Sequence, residues 1–439
     1  MLPHKNEHII LTLMKKGIIA LLIIFFIGLS VPYFWNIYYL LPIKKPQIHV
    51  FFEGFATAPA FSQIIEFSKL PKETKKIIAW HRFPNRKNII NLAEYNTVEV
   101  DLPQQEGNIE EKLQAFSQVV QQIADENPFS TLVFHTSFDK VQSTLKPLLN
   151  MFPKNRISHI HLYEDGYGDL FKWTDKILKA KTFYKPNLKQ ETLNLLNPDT
   201  DNPWKIAHVF GLRYHYLVSY HFLNASKIKQ DKRFQKMFLA IKDANLHDIN
   251  FDVFAHTLTT EQKQVIYRLS GFDYNKFKPL IKDKKTIVFV MGYHFNNQNY
   301  INAEQTILHK LKTNQLEDFP FDDGKNYIWF YKAHPSWNAK VDKEKFEHRF
   351  PDMIEIPAQV PFEVLILAGL KPSFTAGFSS SLFFSLHPED ILLYIKRPIY
   401  LTSPLSALPD HYLTALVREG NIRKNQAIDL HSFLNNTQP

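Results

Sequence analysis

The sequence predicts an α/β protein: two Rossmann-like domains facing a central cleft, behind an N-terminal transmembrane helix. Three observations carry this reading. Short apolar strand patterns alternate with amphipathic helix patterns in two separate series, one ending near Tyr163 and one beginning near Thr286. A chain of 439 residues is long enough for two or three domains with full cores. An uncharged stretch from Gly17 to Ile43 stands apart from both series.

That stretch, GIIALLIIFFIGLSVPYFWNIYYLLPI, is flanked by Lys15 and Lys16 on one side and Lys44 and Lys45 on the other. At about 1.5 Å per helical residue it covers a ~30 Å hydrocarbon core even with a kink at Pro32. It reads as a single anchor. A cleaved signal peptide is the competing reading, but Gly28-Leu29-Ser30 is a poor cleavage site. Lysines on both flanks leave the orientation open.

Past the anchor, Gln47 to Phe52 is a short apolar strand and Pro59 to Leu70 an amphipathic helix with Phe61, Ile64, Ile65 and Phe67 on one face. Lys76 to Trp80 is a strand, and Ile109 to Ala124 a helix opened by a capping box of Asn108 and Glu111. Thr131 to Phe134, a helix over Val141 to Phe152, and a strand over Ile157 to Tyr163 complete the first series. The middle, from about Asp169 to Asp273, is expected to be mostly helical, with Thr259 and Gln262 as a second capping box. The rhythm then restarts with strands at Thr286 to Val290, Tyr327 to Lys332 and Ile391 to Ile395, and helices at Ala303 to Lys312 and Pro361 to Leu370. Strands separated by helices imply parallel sheets. In open parallel sheets ligands bind beyond the carboxyl ends of strands, so the chemistry is expected just after strands, in the cleft.

Composition restricts what that chemistry is. The 37 Phe and 19 Tyr exclude a disordered chain, and a mean hydropathy of −0.25 excludes a many-helix transporter. With no Cys there is no disulfide framework, thiolate zinc site or cysteine nucleophile. A net charge of +9 suits an anionic partner, whether nucleic acid, acidic lipid or a negatively charged small substrate, although mild basicity also occurs without one. The basic residues are scattered, which argues against nucleic acid. No phosphate-binding glycine loop, nucleophile elbow or HExxH motif is present, and the histidines lack metal-ligand spacing, so neither a metal nor a cofactor is expected.

Three segments follow strands directly. Tyr163-Glu164-Asp165-Gly166 offers adjacent carboxylates, one of them a candidate general base, though Asp-Gly is also a common turn. Lys332-Ala333-His334-Pro335 offers two cations suited to charge building on a phosphate leaving group. Gly377 to Ser385 opens an apolar helical turn with Ser379, Ser380 and Ser381, either an anion site or an ordinary cap.

Together these segments resemble the bacterial sialyltransferases of glycosyltransferase family 80, whose signature is an acidic-acidic-glycine motif and a His-Pro motif, here Glu164-Asp165-Gly166 and His334-Pro335. The likeness extends through Ile356-Pro357-Ala358, Phe362 to Leu365 and Ser380 to Leu386, and more weakly through Arg82-Phe83, Tyr214 to Leu217 and Gly271-Phe272. The resemblance implies a GT-B arrangement and transfer of sialic acid from CMP-sialic acid to a terminal sugar of a glycan or glycolipid such as lipooligosaccharide, galactose being the expected acceptor, by inverting displacement without a metal.

Carried over by residue, the resemblance implies that Asp165 is the base and that His334 assists CMP departure. Lys332, Pro335, Glu363, Ser380, Ser381 and Gly292 would bind the donor. Arg82, Glu164 and His135 would lie toward the acceptor. Two departures stand out: Tyr293-His294-Phe295-Asn296 replaces a Thr- and Trp-rich stretch, and Lys140 stands where the family has an acceptor-side histidine. They leave open another CMP-linked keto-sugar donor such as CMP-Kdo, or a catalytically silent membrane-anchored binding protein. The expected organisation is an anchor over 1–45, an acceptor-side domain over 46–280, a donor-side domain over 281–415, and a tail over 416–439 packing back on the first domain. The expected location is the bacterial inner membrane with the catalytic part on the cytoplasmic side, where CMP-sialic acid is made.

Overall fold

The computed structural model describes residues 38–39, 44–54, 57–80, 90–101, 109–164, 209, 211–223, 225, 244–291, 298–315, 326–333, 346–396, 411–418 and 420–429. Apart from Tyr38 and Tyr39, the expected anchor lies outside them, and among the described residues no helix is long and apolar enough to cross a membrane.

Two sheets organise the chain, and every strand pair in both is parallel. The first sheet is built from β1 (Gln47–Glu53), helix α1 (Thr57–Lys69), β2 (Lys75–Trp80), β3 (Thr97–Glu99), α2 (Ile109–Glu126), β4 (Thr131–Ser137), α3 (Lys146–Met151), β5 (Ile157–Tyr163), β6 (Val218–Leu223) and β7 (Asn245–Ile249). Three helices follow: α4 (Phe251–Thr257), α5 (Thr260–Ser270) and α6 (Tyr274–Ile281). The second sheet comprises β8 (Thr286–Val290), α7 (Gln298–Lys312), β9 (Ile328–Lys332), β10 (Ile354–Ile356), α8 (Glu363–Leu367), β11 (Phe374–Phe378), β12 (Ile391–Ile395), α9 (His411–Arg418) and β13 (Ala427–Ile428).

The strand orders are β3-β2-β1-β4-β5-β6-β7 and β10-β9-β8-β11-β12-β13. Each is doubly wound, so each has one place where the chain reverses direction across the sheet: β1/β4 in the first and β8/β11 in the second. Crevices at such points are the usual ligand sites of open parallel sheets.

The helices form where their apolar spacing expects them. In α1 the expected face of Phe61, Ile64, Ile65 and Phe67 is buried, and Gln63 ties it to the sheet: its Nε2 donates to Phe52 O at 3.2 Å while Trp80 Nε1 donates to its Oε1 at 2.8 Å. The capping box before α5 is present, with Thr259 accepting from Gln262 N and Gln262 Oε1 accepting from Thr259 N. The other expected box, at Asn108, lies outside the described residues.

Several elements differ from expectation. β6 and β7 lie in the stretch read as mostly helical, because their pattern is broken by Ser219, His221, Asn245 and His247, polar residues that share one sheet face. The short strands β3, β10 and β11 were not expected. The expected helix over Val141 to Phe152 is split into a π-helical turn, Val141–Leu145, and α3. Of the tail, expected over 416–439 to pack back on the first domain, the described part adds β13 to β12 of the second sheet, and residues 430–439 lie outside the described residues.

One apolar core runs through both sheets. It takes in α1 and the first sheet, continues through Phe251, Ile266 and Phe277, and reaches Val288, Val290, Phe330 and Ile356 on one face of the second sheet. Phe277 and Phe330 touch ring to ring across the junction, at 6.3 Å between centroids. A smaller core on the opposite face joins Ile287, Phe289 and Met291 to Ile307, Leu308 and Leu311 of α7. α4 leaves the carboxyl end of β7 after one residue, Asn250, and α8 follows the carboxyl end of β10; these two helices pack together. The junction thus brings strand exits of both sheets toward each other.

At the β8/β11 reversal the strands approach closely. Gly377 pairs with Val290 at φ +135°, and a Cβ there would stand 2.1 Å from Val290 O and 2.6 Å from Val290 N. Only glycine fits this conformation and this gap. Gly377→Ala therefore loses at least ~2 kcal/mol of stability, the scale of overpacking plus backbone strain, seen as a lower urea midpoint. An unchanged midpoint would contradict the close approach.

Candidate active site

At the carboxyl end of β5 the backbone is held before it enters the acidic motif. Tyr163 is buried, and its hydroxyl lies 2.9 Å from His135 Nδ1. Glu164 N donates to His221 O at 3.0 Å, and Glu164 Oε2 accepts from Leu223 N, also at 3.0 Å. Glu164, only 2% exposed, thus closes the end of β5 onto the end of β6. It was expected on the acceptor side; the structure instead gives its carboxylate a backbone partner inside the protein. Asp165 is the next residue along the chain and lies outside the described residues, as do Gly292, His334, Pro335 and Arg82.

His135, also expected toward the acceptor, is buried within the sheet. Its position in β4 puts it on the face covered by α1, opposite His161. There six histidines, His49, His135, His159, His161, His221 and His247, share one face of five adjacent strands. His135 stacks on Phe51 at 4.1 Å and on His161 at 4.5 Å. His49 Nδ1 meets His135 Nε2 at 3.0 Å, and His161 Nδ1 meets His221 Nε2 at 3.0 Å. In either tautomer a neutral His135 donates one of its two bonds and accepts the other. Among the described residues no group of three or more His, Asp or Glu side chains is arranged to hold a metal ion.

Burial is the first cause that pulls these imidazoles down: His49 to about 4 and His161 to about 3, with His135 and His221 well below the ordinary value. Repulsion from neighbouring groups adds to it, from Lys76 and then His159 for His49, from the other imidazoles for His135 and His161, and from imidazoles and Lys69 for His221.

At the β1/β4 reversal, a Cβ on Gly54 would meet Lys140 Cε at 3.9 Å. Lys140, where the resemblance expects an acceptor-side histidine, therefore sits at the first sheet's crevice.

On the second sheet, Lys332 ends β9 in register with Val290 and Ile356. It is 5% exposed, and its Nζ donates to Ala333 O at 2.8 Å and Ala358 O at 2.7 Å. Burial lowers Lys332 to about 7, with Glu363 and Glu355 opposing the shift. Glu363, at the first position of α8, is raised by burial, opposed by its own backbone N–H and by Lys332. Each group thus favours the other's charged form, while desolvation works against both.

Ser380 caps the short 3-10 segment Ser381–Ser385, its Oγ accepting from Leu382 N at 3.4 Å. Ser379 Oγ accepts from Tyr394 OH at 2.7 Å. The serines therefore follow β11 directly, beside the exit of β8, because Gly377 lets those two strands close. Its left-handed φ was the missed element of this site; the glycine, two residues before a serine cluster at a strand end, was the available signal.

The structure thus brings Lys332, Glu363 and the serine turn to the carboxyl end of the second sheet, and the Glu164 clamp to that of the first. The arrangement suits an anionic ligand on the second sheet, with a carboxylate presented from the first.

The family model described as Sialyltransferase PMO188 matches residues 48–407. No curated protein sequence matches. Among solved structures the chain is similar to the GT-B domain of a Photobacterium damselae sialyltransferase, with TM-score 0.72 and 20% identity over 87% of this chain and 99% of that one. It is similar to a Photobacterium phosphoreum α/β-galactoside α-2,3-sialyltransferase, with TM-score 0.68 and 19% identity over 89% and 100% of the two chains. It is also similar to a Photobacterium sp. JT-ISH-224 2,6-sialyltransferase, solved with the donor product CMP and the acceptor lactose, with TM-score 0.69 and 22% identity over 88% and 78%. The fold is GT-B-like.

The histidine layer sets a pH dependence. A buried imidazole whose pKa is lowered contributes stability that is complete above the unfolded value of roughly 6.5 and is lost as pH falls below it. Each such group costs up to about 1.4 kcal/mol per pH unit in that window. Thermal unfolding between pH 7.5 and 5 should show a falling midpoint, and His135→Phe, a ring that cannot take a proton, should flatten the fall. An equally steep profile in that variant would contradict the assignment.

Proposed function

The chain belongs to the Sialyltransferase PMO188 family and is a glycosyltransferase, and from that premise we propose that it moves sialic acid from CMP-sialic acid to a terminal galactose of a glycan or lipooligosaccharide. The observation that carries the proposal is the family match itself, since residues 48–407 contain both Glu164-Asp165-Gly166 and His334-Pro335. In this reading Asp165, launched from the clamped end of β5, takes the proton of the acceptor hydroxyl. That oxygen forms a bond to the anomeric carbon of sialic acid on the face opposite CMP. The bond from this carbon to the CMP phosphate oxygen breaks, and CMP leaves with the electron pair.

His334 and the Lys332 ammonium offset charge on the departing phosphate, with Gly292, Pro335, Ser380 and Ser381 around it. An anion at this site favours the protonated form of a lysine whose pKa burial has brought to about 7. Glu363 binds the ribose hydroxyls. Arg82 and Lys140 face the acceptor, and the latter, in place of an imidazole, makes acceptor choice the step most open to variation. One base and one cationic cradle give inversion without a covalent intermediate.

In the same reading residues 17–43 anchor the chain in the bacterial inner membrane, with the catalytic part on the cytoplasmic side where the donor is made. The boundaries at about residues 45, 280 and 415 divide anchor, acceptor domain, donor domain and tail.

The test is turnover of CMP-sialic acid with lactose by the full chain. Asp165→Asn should lower kcat by ~10²–10⁴-fold, the contribution of a positioned base, with donor binding retained in calorimetry. Normal turnover by that variant would overturn the base assignment. A wild type that uses CMP-Kdo instead would overturn the donor assignment.

A further inference from the structure

The amino-terminal edge of the first sheet carries a surface that sialyl transfer does not use. β1, β4, β5 and β6 all start there. Of the five large apolar side chains exposed among the described residues, four lie in the segments that lead into β4, β5 and β6: Phe129 (53% exposed), Met151 at the end of α3 (36%), Tyr214 (39%) and Leu217 (60%). The fifth, Val253, is in α4 beyond the carboxyl end of β7. Single exposed apolar residues need no explanation, but a cluster on one edge marks an interaction surface.

Cations interleave with this cluster. Lys154 Nζ stands 5.8 Å from the Tyr216 ring, the Arg213 guanidinium 4.6 Å from the Tyr214 ring, and Lys45 Nζ 5.6 Å from the Tyr38 ring. A groove of about 720 Å³ runs between Lys154, Arg213, Tyr214, Tyr216 and Leu217. Asp125 and Glu126, at the end of α2, are acidic groups near the same edge.

The chain enters the fold at this edge. Tyr38 OH donates to Phe129 O at 3.1 Å and its ring meets Phe129 edge-on at 5.3 Å, while Tyr39 OH donates to Pro128 O at 2.5 Å. Arg156 braces the same turn by donating to Ala124 O, Asn127 O and Ser130 O. Tyr38 and Tyr39, within the uncharged stretch 17–43, are therefore fixed against the exposed apolar turn.

We propose that this edge lies on the headgroup layer of an anionic bilayer, with Phe129 and Leu217 in the interface and Lys154 and Arg213 meeting lipid phosphates. The inference rests on the anchor reading above. Aromatic and basic side chains together are the composition that favours this layer. A span that ends beside Phe129 keeps the edge at high local concentration near the lipid, so individually weak contacts suffice.

The sequence has no cysteine, so a single introduced thiol labels one position. The full chain carrying Phe129→Cys, Leu217→Cys or, as reference, Val253→Cys is tagged with a fluorophore. It is then reconstituted in phosphatidylcholine–phosphatidylglycerol vesicles holding a headgroup-region spin label. The probes at 129 and 217 should be quenched several-fold more than the probe at 253. Equal, weak quenching at all three in protein that resists carbonate extraction overturns the edge and leaves the anchor standing. Strong quenching at 129 and 217 in protein that carbonate extracts supports the edge and removes the anchor. Protein that does not float with vesicles at all overturns both.

Discussion

The apolar seam between α4, α5, α6 and the second sheet is the contact on which the rest depends. Phe277 against Phe330, and α4 against the buried α8, make one core out of what would otherwise be two. Apolar burial contributes roughly 25 cal/mol per Å², so a continuous core resists separation of the sheets more than a polar interface would. It also sets where the strand ends point. The clamp at Glu164 and the turn at Ser380 lie on different sheets, and a common core gives them one frame.

Within that frame the polar groups that matter are buried and fixed by backbone partners. Glu164 accepts from Leu223 N, and Lys332 donates to two carbonyls. Lys76, fully buried at the start of β2, donates to Pro71 O, Lys72 O, Thr74 O and Tyr95 O, and burial brings its ammonium down to about 8. A buried charge without such partners is costly, and with them it becomes a fixed strut. Lys76 holds the amino-terminal edge of the first sheet in this way, while Lys332 and Glu164 hold carboxyl ends. The same chemistry serves stability at one end of a strand and, in the proposed function, ligand binding at the other.

Much of this could be read from residue order alone. The apolar runs of β2, β8, β9 and β12 are continuous because both faces of a parallel sheet are covered. The filter that chemistry follows strand ends pointed to Lys332, and the run of three serines after Gly377 pointed to Ser380. What could not be read depends on register. β6 presents Ser219 and His221 to a polar layer that exists only once five strands are aligned, so its pattern looks unlike a strand. His135 and Glu164 looked ready for an acceptor, but alternation along β4 turned the first under α1, and a hydrogen bond to β6 took up the second. Gly377 is a further case: its necessity comes from Val290, 87 residues away in the chain and adjacent in space.

β5 links the two ends of the first sheet directly, with the exposed turns at its start and Glu164 at its finish. Its seven residues, at about 3.3 Å each, span roughly 23 Å. The strand is thus a ruler. Were the proposed edge to rest on lipid, this ruler would set the height of the strand exits above the headgroups, and sugars would then be selected by their distance from the membrane as well as by their identity.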